Sequence, residues 1–218
     1  MYARLYASHT FLKLTHFNVH IHLKKIGIIL LAAGESKRMG SPKQLLDING
    51  KSLLRRTAEV ALATDCYPVV LVIGANKAQI VPEIINLPLT VIDNPMWAEG
   101  MSSSVKMGMA GLYMTYKDVD AVLILVCDQP YLSVSLLERM VEIYEEKQPP
   151  IVACKYGDQI GVPALFDRKM FDELLTLTGD KGAKPVVMNH LDEAYLVTFE
   201  AGRIDLDTPE DYKAFQNG

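Results

Sequence analysis

The sequence predicts an α/β fold, a mostly parallel sheet in one domain with helices on both faces. Three observations carry that expectation. Short apolar runs rich in β-branched residues recur along the chain, and amphipathic stretches of helical spacing separate most of them. The runs are apolar throughout rather than alternating, which suits strands buried on both sides. The 218 residues suffice for one domain with a full core and are short for two.

The first such run, residues 25–31 (KIGIILL), is the first buried strand. Residues 52–63 repeat Leu53, Leu54, Ala58 and Ala61 at helical spacing. Strands follow at 68–73, 89–92 and 121–126, with helices at 76–85 and 101–116 between them; Pro82 is a weak point in the first of these helices. The remaining elements are a helix at 134–146, a strand at 151–154, a helix at 169–177, a strand at 194–199 and a helix at 209–215. The first 24 residues read as an N-terminal extension before a domain spanning 25–218. Within it HFNVHIHLKK alternates like an edge strand. His20 and His22 would share one face of that strand with no carboxylate or cysteine nearby, a poor metal site.

Half of the chain is apolar and 22% charged, an ordinary soluble composition, and no run of eighteen apolar residues predicts a membrane span. The formal net charge is -4, while residues 1–25 carry Arg4, Lys13, Lys24 and Lys25 and no acid, so the rest of the chain is acidic. An acidic body disfavours nucleic acid as a partner. Cys66, Cys127 and Cys154 form no CxxC pair and read as reduced thiols of a cytoplasmic protein. No secretory signal is evident.

In parallel sheets ligands bind beyond the carboxyl ends of the strands, so the loops after Leu31, Ile92 and Val126 are the places to search. The first loop, LAAGESKRMGSPKQLL, places Gly34 beside the strand end, with Arg38 and Lys43 beyond it. Exposed backbone N–H groups, a planar guanidinium and a point charge suit a polyphosphate. A solvated turn with incidental charge is the alternative. The loop is neither a dinucleotide fingerprint nor a Walker A loop: no second glycine follows Gly34 in place, and Gly40 is followed by Ser-Pro-Lys. Further on, Asp128 ends an apolar strand, where a carboxylate can hold Mg²⁺ or cap a turn. DLDTPEDY offers Asp205, Asp207, Glu210 and Asp211 around a good helix start at Thr208-Pro209. GMSSSVKMG opens a helix with small hydroxyl residues that can face a ligand or simply cap.

Together LAAGESKRMGSPKQLL, DNPMWAEGMSSSVKMG, LVCDQPYL, GVPALF, LTGDKGAK and DLDTPEDY resemble, in order, the motifs of the MobA-like nucleotidyltransferases, in the wording of the molybdenum cofactor cytidylyltransferase branch. The resemblance spans about residues 25–215 and is more specific for the superfamily than for the acceptor. It implies a nucleotide-diphospho-sugar transferase-like, Rossmann-like three-layer fold. It also implies Mg²⁺-dependent transfer of CMP from CTP to the terminal phosphate of molybdopterin. Arg38 and Lys43 become the catalytic cations. Leu31, Ala32, Ala33, Gly34, Gly100 and Ser104 become the nucleotide site. Asp128 and Asp207 become the metal ligands, with Asp205 the alternative to the latter. Gly161, Pro163, Gly179, Lys181 and Gly182, with Lys184, become the acceptor site. A molybdoenzyme apoprotein is a further implied partner. Guanylyl, sugar-phosphate or methylerythritol-phosphate transfer is the alternative within the class, and a non-catalytic cofactor chaperone the alternative outside it. The missing GxGxxG disfavours NAD-dependent oxidoreduction.

Overall fold

The computed structural model describes residues 24–217, and the strand and histidines read in the N-terminal extension lie outside that range. The chain runs through β1 (Ile26–Ala32), a small hairpin of β2 (Asp47–Ile48) and β3 (Lys51–Ser52), α1 (Leu53–Leu62), β4 (Val69–Ile73), α2 (Lys77–Ile80) and β5 (Thr90–Asp93). It continues through α3 (Met101–Thr115), β6 (Ala121–Val126), α4 (Val134–Lys147), β7 (Ile151–Tyr156) and β8 (Gln159–Asp167). It ends with α5 (Phe171–Thr176), α6 (Lys184–Asn189), β9 (Tyr195–Thr198) and α7 (Pro209–Asn217).

A seven-stranded sheet in the order β5-β4-β1-β6-β8-β7-β9 forms the middle layer. β1, β4, β5 and β6 pair in parallel, and β8 alone runs against its neighbours β6 and β7. β1 is buried along its whole length because alternate residues serve two cores. Ile28 and Leu30 pack towards α1 and α4, and Ile29 and Leu31 towards α3, α5 and α6. Hydroxyl caps set helix starts: Ser52 Oγ accepts from Arg55 N at 3.2 Å, and Ser133 Oγ from Leu136 N at 3.3 Å.

The alternation of strands and helices is as expected, apart from the β2–β3 hairpin, which the sequence did not predict, and three further differences. First, the segment GVPALF, which falls in none of the expected elements, is the middle of β8. Gly161 and Pro163 disguise that strand, since both are disfavoured in strand interiors. Pro163 is tolerated because the pairing of β7 with β8 slips between Ala153 and Cys154, where an irregular ladder needs no donor. The two-residue turn Gly157-Asp158, with Gly157 at φ 60, reverses the chain and was the readable signal. Second, the helix expected over 76–85 is one turn of α2 followed by a 3-10 turn at Val81–Ile84, broken where Pro82 lacks an N–H. Third, Lys184–Asn189 forms the short α6 with Pro185 in its first turn.

Candidate active site

The carboxyl ends of β1, β4, β5 and β6 face one edge of the sheet, and the loops after β1, β5 and β6, with Asp180, line a cavity of about 510 Å³. Leu31, Ala32, Ala33, Gly34, Lys43, Gly100, Ser104 and Asp128 all line it. Gly34 has an ordinary φ, so the turn does not demand it; a Cβ there would meet no protein atom within 4 Å, which leaves the strand end open to a ligand.

The loop after β1 is held from inside. Gln44, only 1% exposed, donates through Nε2 to the carbonyls of Ala32 and Gly34, each at 3.0 Å. Ser36 Oγ accepts from Lys43 N at 3.2 Å and reaches Gln44 Oε1 at 3.4 Å. Pro42, Lys43 and Gln44 therefore form one brace that aims the lysine. Gln44→Ala removes the donor of both carbonyls. It is expected to cost about 1–3 kcal/mol in urea unfolding and to weaken nucleotide binding in the same preparation.

Lys43 Nζ donates to Asp128 Oδ2 at 2.7 Å and to Asp207 Oδ1 at 2.8 Å. Burial works against its charge, but the carboxylates, Asp128 first, outweigh it and hold the ammonium pKa well above the usual lysine range. Arg38 Nη2 donates to Asp207 Oδ2 at 2.7 Å from outside the cavity wall, its side chain 72% exposed. Asp207 is partly buried, which would raise its pKa, yet Lys43 and Arg38 hold it below the usual carboxylate range. The long separation in sequence is bridged by backbone. Leu206 N donates to the Asp128 carbonyl at 3.0 Å. Thr208 and Asp211 form a reciprocal cap at the start of α7, with Asp211 N donating to Thr208 Oγ1 at 3.2 Å and Thr208 N to Asp211 Oδ2 at 2.8 Å. Asp211 Oδ2 also accepts from Asp207 N at 3.3 Å. The cap read at Thr208 thus also positions Asp207.

A divalent cation fits these residues. Asp128 Oδ1 is buried and has no hydrogen-bond partner among the described residues. Asp205 is exposed as a whole residue, yet partial burial of its carboxyl and the charges of Asp128 and Asp207 push its pKa up to about 7. Three carboxyl groups, Asp128, Asp205 and Asp207, against the two cations Lys43 and Arg38 leave an excess of hard oxygen donors, which suits Mg²⁺, an ion that commonly takes one or two carboxylates and completes its shell with water and substrate phosphates. Among the described residues no cluster of three or more acids, histidines or cysteines is arranged as a ready-made metal cage.

Across the cavity, Asn94 organises the hydroxyl residues that open α3. It is fully buried. Its Nδ2 donates to Ser103 Oγ at 2.9 Å and Ser104 Oγ at 3.0 Å, and its Oδ1 accepts from Met96 N at 2.9 Å. Neither Gln44 nor Asn94 was singled out from sequence, since an isolated amide in a polar loop resembles any solvated residue.

A second cavity of about 180 Å³ adjoins the first, and Met101, Val126 and Asp128 line both. Gly161, Lys181 and Lys184 line the second; Pro163, Gly179 and Gly182 do not. Pro163 sits in the irregular stretch of β8. Gly179 and Gly182, at φ 75 and 55, shape the turn that crosses the start of α3. Gly100 there is required on two counts: its φ is 105, and a Cβ would fall 2.7 Å from the Gly179 carbonyl. His190 lies outside both cavities and pairs with Glu173 Oε2 at 2.7 Å.

Residues 28–194 match the family model described as MobA-like NTP transferase domain. The chain belongs to that family. This MobA-like chain is a nucleotidyltransferase, and it shares its fold with a nucleotidyl transferase from Methanothermobacter thermautotroptrophicus, 20% identical with a TM-score of 0.75 over 88% of this chain and 96% of that one. A nicotine blue oxidoreductase of Paenarthrobacter nicotinovorans is 34% identical over 164 residues, 72% of this chain and 78% of that protein. A probable molybdenum cofactor guanylyltransferase of Peptoclostridium acidaminophilum is 28% identical, covering 82% of this chain and 79% of that protein. Two crystal structures of Rv0371c of Mycobacterium tuberculosis H37Rv, the second a complex with manganese, superimpose with TM-scores of 0.77 and 0.72. Those structures are 25% and 23% identical, and cover 90% and 89% of this chain and 100% of that one. Among the described residues no helix of this MobA-like chain is long and apolar enough to cross a membrane.

Proposed function

We propose that the protein transfers CMP from CTP to the terminal phosphate of a molybdopterin-type acceptor and releases pyrophosphate. The observation that carries this reading is the position of Asp128. It lines both cavities and holds Lys43, so a large nucleotide-sized space and a smaller one bordered by Lys181 and Lys184 meet at one charged centre.

An acceptor phosphate oxygen attacks the α-phosphorus, the bond from α-phosphorus to its bridging oxygen breaks, and that oxygen leaves with pyrophosphate. Lys43 and Arg38 place positive charge where negative charge accumulates on the phosphates. Lys181 and Lys184 hold the acceptor phosphate in line with the nucleotide, and much of the acceleration is positioning. No strong base is needed, because the second phosphate proton has a pKa of about 6 and is largely gone at neutral pH. Burial pushes the Cys127 thiol and the Tyr156 hydroxyl each up to about 12, so neither supplies an anionic nucleophile. Asp128 and Asp207 would hold Mg²⁺, which supplies further charge neutralisation when bound.

The wording of LAAGESKRMG, GMSSSV and LVCDQP supports CTP, and the molybdenum cofactor guanylyltransferase relative supports the pterin acceptor. The relative named an oxidoreductase supports a second reading, redox chemistry in the same cavity. Pyrophosphate release separates the two. With molybdopterin and Mg²⁺, release is expected to require both substrates and to be fastest with CTP among the four nucleotides. Preference for GTP would make the protein a guanylyltransferase, and no release with any nucleotide would favour the redox reading.

A further inference from the structure

The turn after α5 sends neighbouring residues into different cavities. Asp180 lines the large one, and Lys181 lines the small one. Ser102 N donates to the Gly179 carbonyl at 3.0 Å, and the glycine at position 100 leaves room for the Asp180 carboxylate against its Cα. The turn is therefore fixed against the start of α3, beside Ser104 and the wall formed by Trp97 and Ala98.

Three carboxylates line the large cavity. Glu35 pairs with Lys37 at 3.2 Å, and Asp128 with Lys43 at 2.7 Å. Asp180, exposed, has no ion-pair partner within 4.0 Å among the described residues. A carboxylate without a cation repels phosphate, so a nucleoside triphosphate whose phosphates lie at Lys43 turns its other end towards Asp180. An ionised carboxylate only accepts hydrogen bonds. Cytosine offers an exocyclic amine, as do adenine and guanine on their own edges, whereas uracil has a carbonyl oxygen where cytosine has its amine.

We propose that Asp180 is a specificity-determining residue that accepts a hydrogen bond from the exocyclic amine of the bound base, selecting amino-bearing nucleotides against uridine nucleotides. The inference rests on the nucleotide reading of the cavity. It also gives the turn two tasks, base selection through Asp180 and acceptor contact through Lys181.

The test is calorimetric titration of CTP and UTP, each with Mg²⁺, into the wild-type protein and Asp180→Asn. An asparagine can rotate its amide to donate to uracil, so the ratio of CTP to UTP affinity is expected to fall by about tenfold or more, with an unchanged melting temperature reporting an intact turn. Asp180→Ala, which keeps the backbone but offers neither donor nor acceptor, should bring the same ratio close to one. An equal loss of affinity for both nucleotides would assign Asp180 to the ribose or to loop structure and overturn the proposal. Wild-type protein that binds nucleotides without preferring CTP to UTP would overturn it too, while leaving the nucleotidyl-transfer reading standing. Failure to bind any nucleotide would bring down both.

Discussion

Lys43→Ala is expected to lower acceptor-dependent turnover by about 10²–10³-fold, the scale seen when one preorganised charge-stabilising group is removed. The structure adds a second consequence that an exposed loop lysine would not have. The Lys43 side chain is 17% exposed and bridges Asp128 and Asp207. Its loss leaves two partly buried carboxylates without that cation. A cost of about 1–3 kcal/mol is expected, between the value of an exposed pair and that of a fully buried one. The pH dependence follows from the two shifts. Asp207 is held below its unfolded pKa, so its contribution is present above the ordinary carboxylate range and fades as pH falls through the lowered value. Lys43 is held above its ordinary value of 10.5, so its contribution is full below that value and fades as pH rises beyond it. The stability gap between wild type and variant, measured by thermal unfolding without nucleotide, is expected to be widest between about pH 4 and pH 10. A gap that is flat down to acid pH would mean that the bridge contributes nothing. Unchanged turnover at saturating CTP would remove Lys43 from the mechanism.

Asp128→Asn separates charge from shape. The amide oxygen can still accept from Lys43, while the NH₂ group takes the place of the buried Oδ1, which has no partner among the described residues. Removing this charge also relieves Asp205, whose raised pKa owes part of its shift to Asp128. The fold is expected to survive at a cost of about 1–3 kcal/mol, since the buried NH₂ group finds no acceptor in place. Turnover is expected to fall by about 10³-fold, and the Mg²⁺-dependent thermal shift seen with CTP should disappear. Full activity with an undiminished Mg²⁺ dependence would refute the assignment of Asp128 as a metal ligand. Performed in the Lys43→Ala background as well, the substitution reads the coupling between the two residues. A double variant no worse than the lysine variant alone would place both in one unit.

Much of this architecture could be read without coordinates, because a buried strand has a composition that little else shares. The runs at β1, β4 and β6 are apolar at every position, and each became a strand at the centre of the sheet. β8 was hidden because Gly161 and Pro163 argue against a strand interior, and only its partners supply the irregular register that accommodates them. The short α6 was missed for a related reason: a helix of six residues is too short to show a period.

The site divides in the same way. Gly34, Lys43, Ser104 and Asp128 stood out because strand ends in a parallel sheet face a common crevice, and the family motifs marked the positions. Amino-acid sequence by itself determined the layered fold, the family and the cations and acids available for phosphate chemistry. Only the tertiary structure decided which of them meet. Lys43, Asp128 and Asp207 converge because β6 lies beside β1 and the segment before α7 hydrogen-bonds to the end of β6. Gln44 and Asn94 acquire their importance from burial, and Asp180 and Lys181 part company because one turn crosses the start of α3 between two cavities. Periodicity reports what a residue does within its own element. The partners that give a polar side chain its task come from distant parts of the chain, and packing alone brings them together.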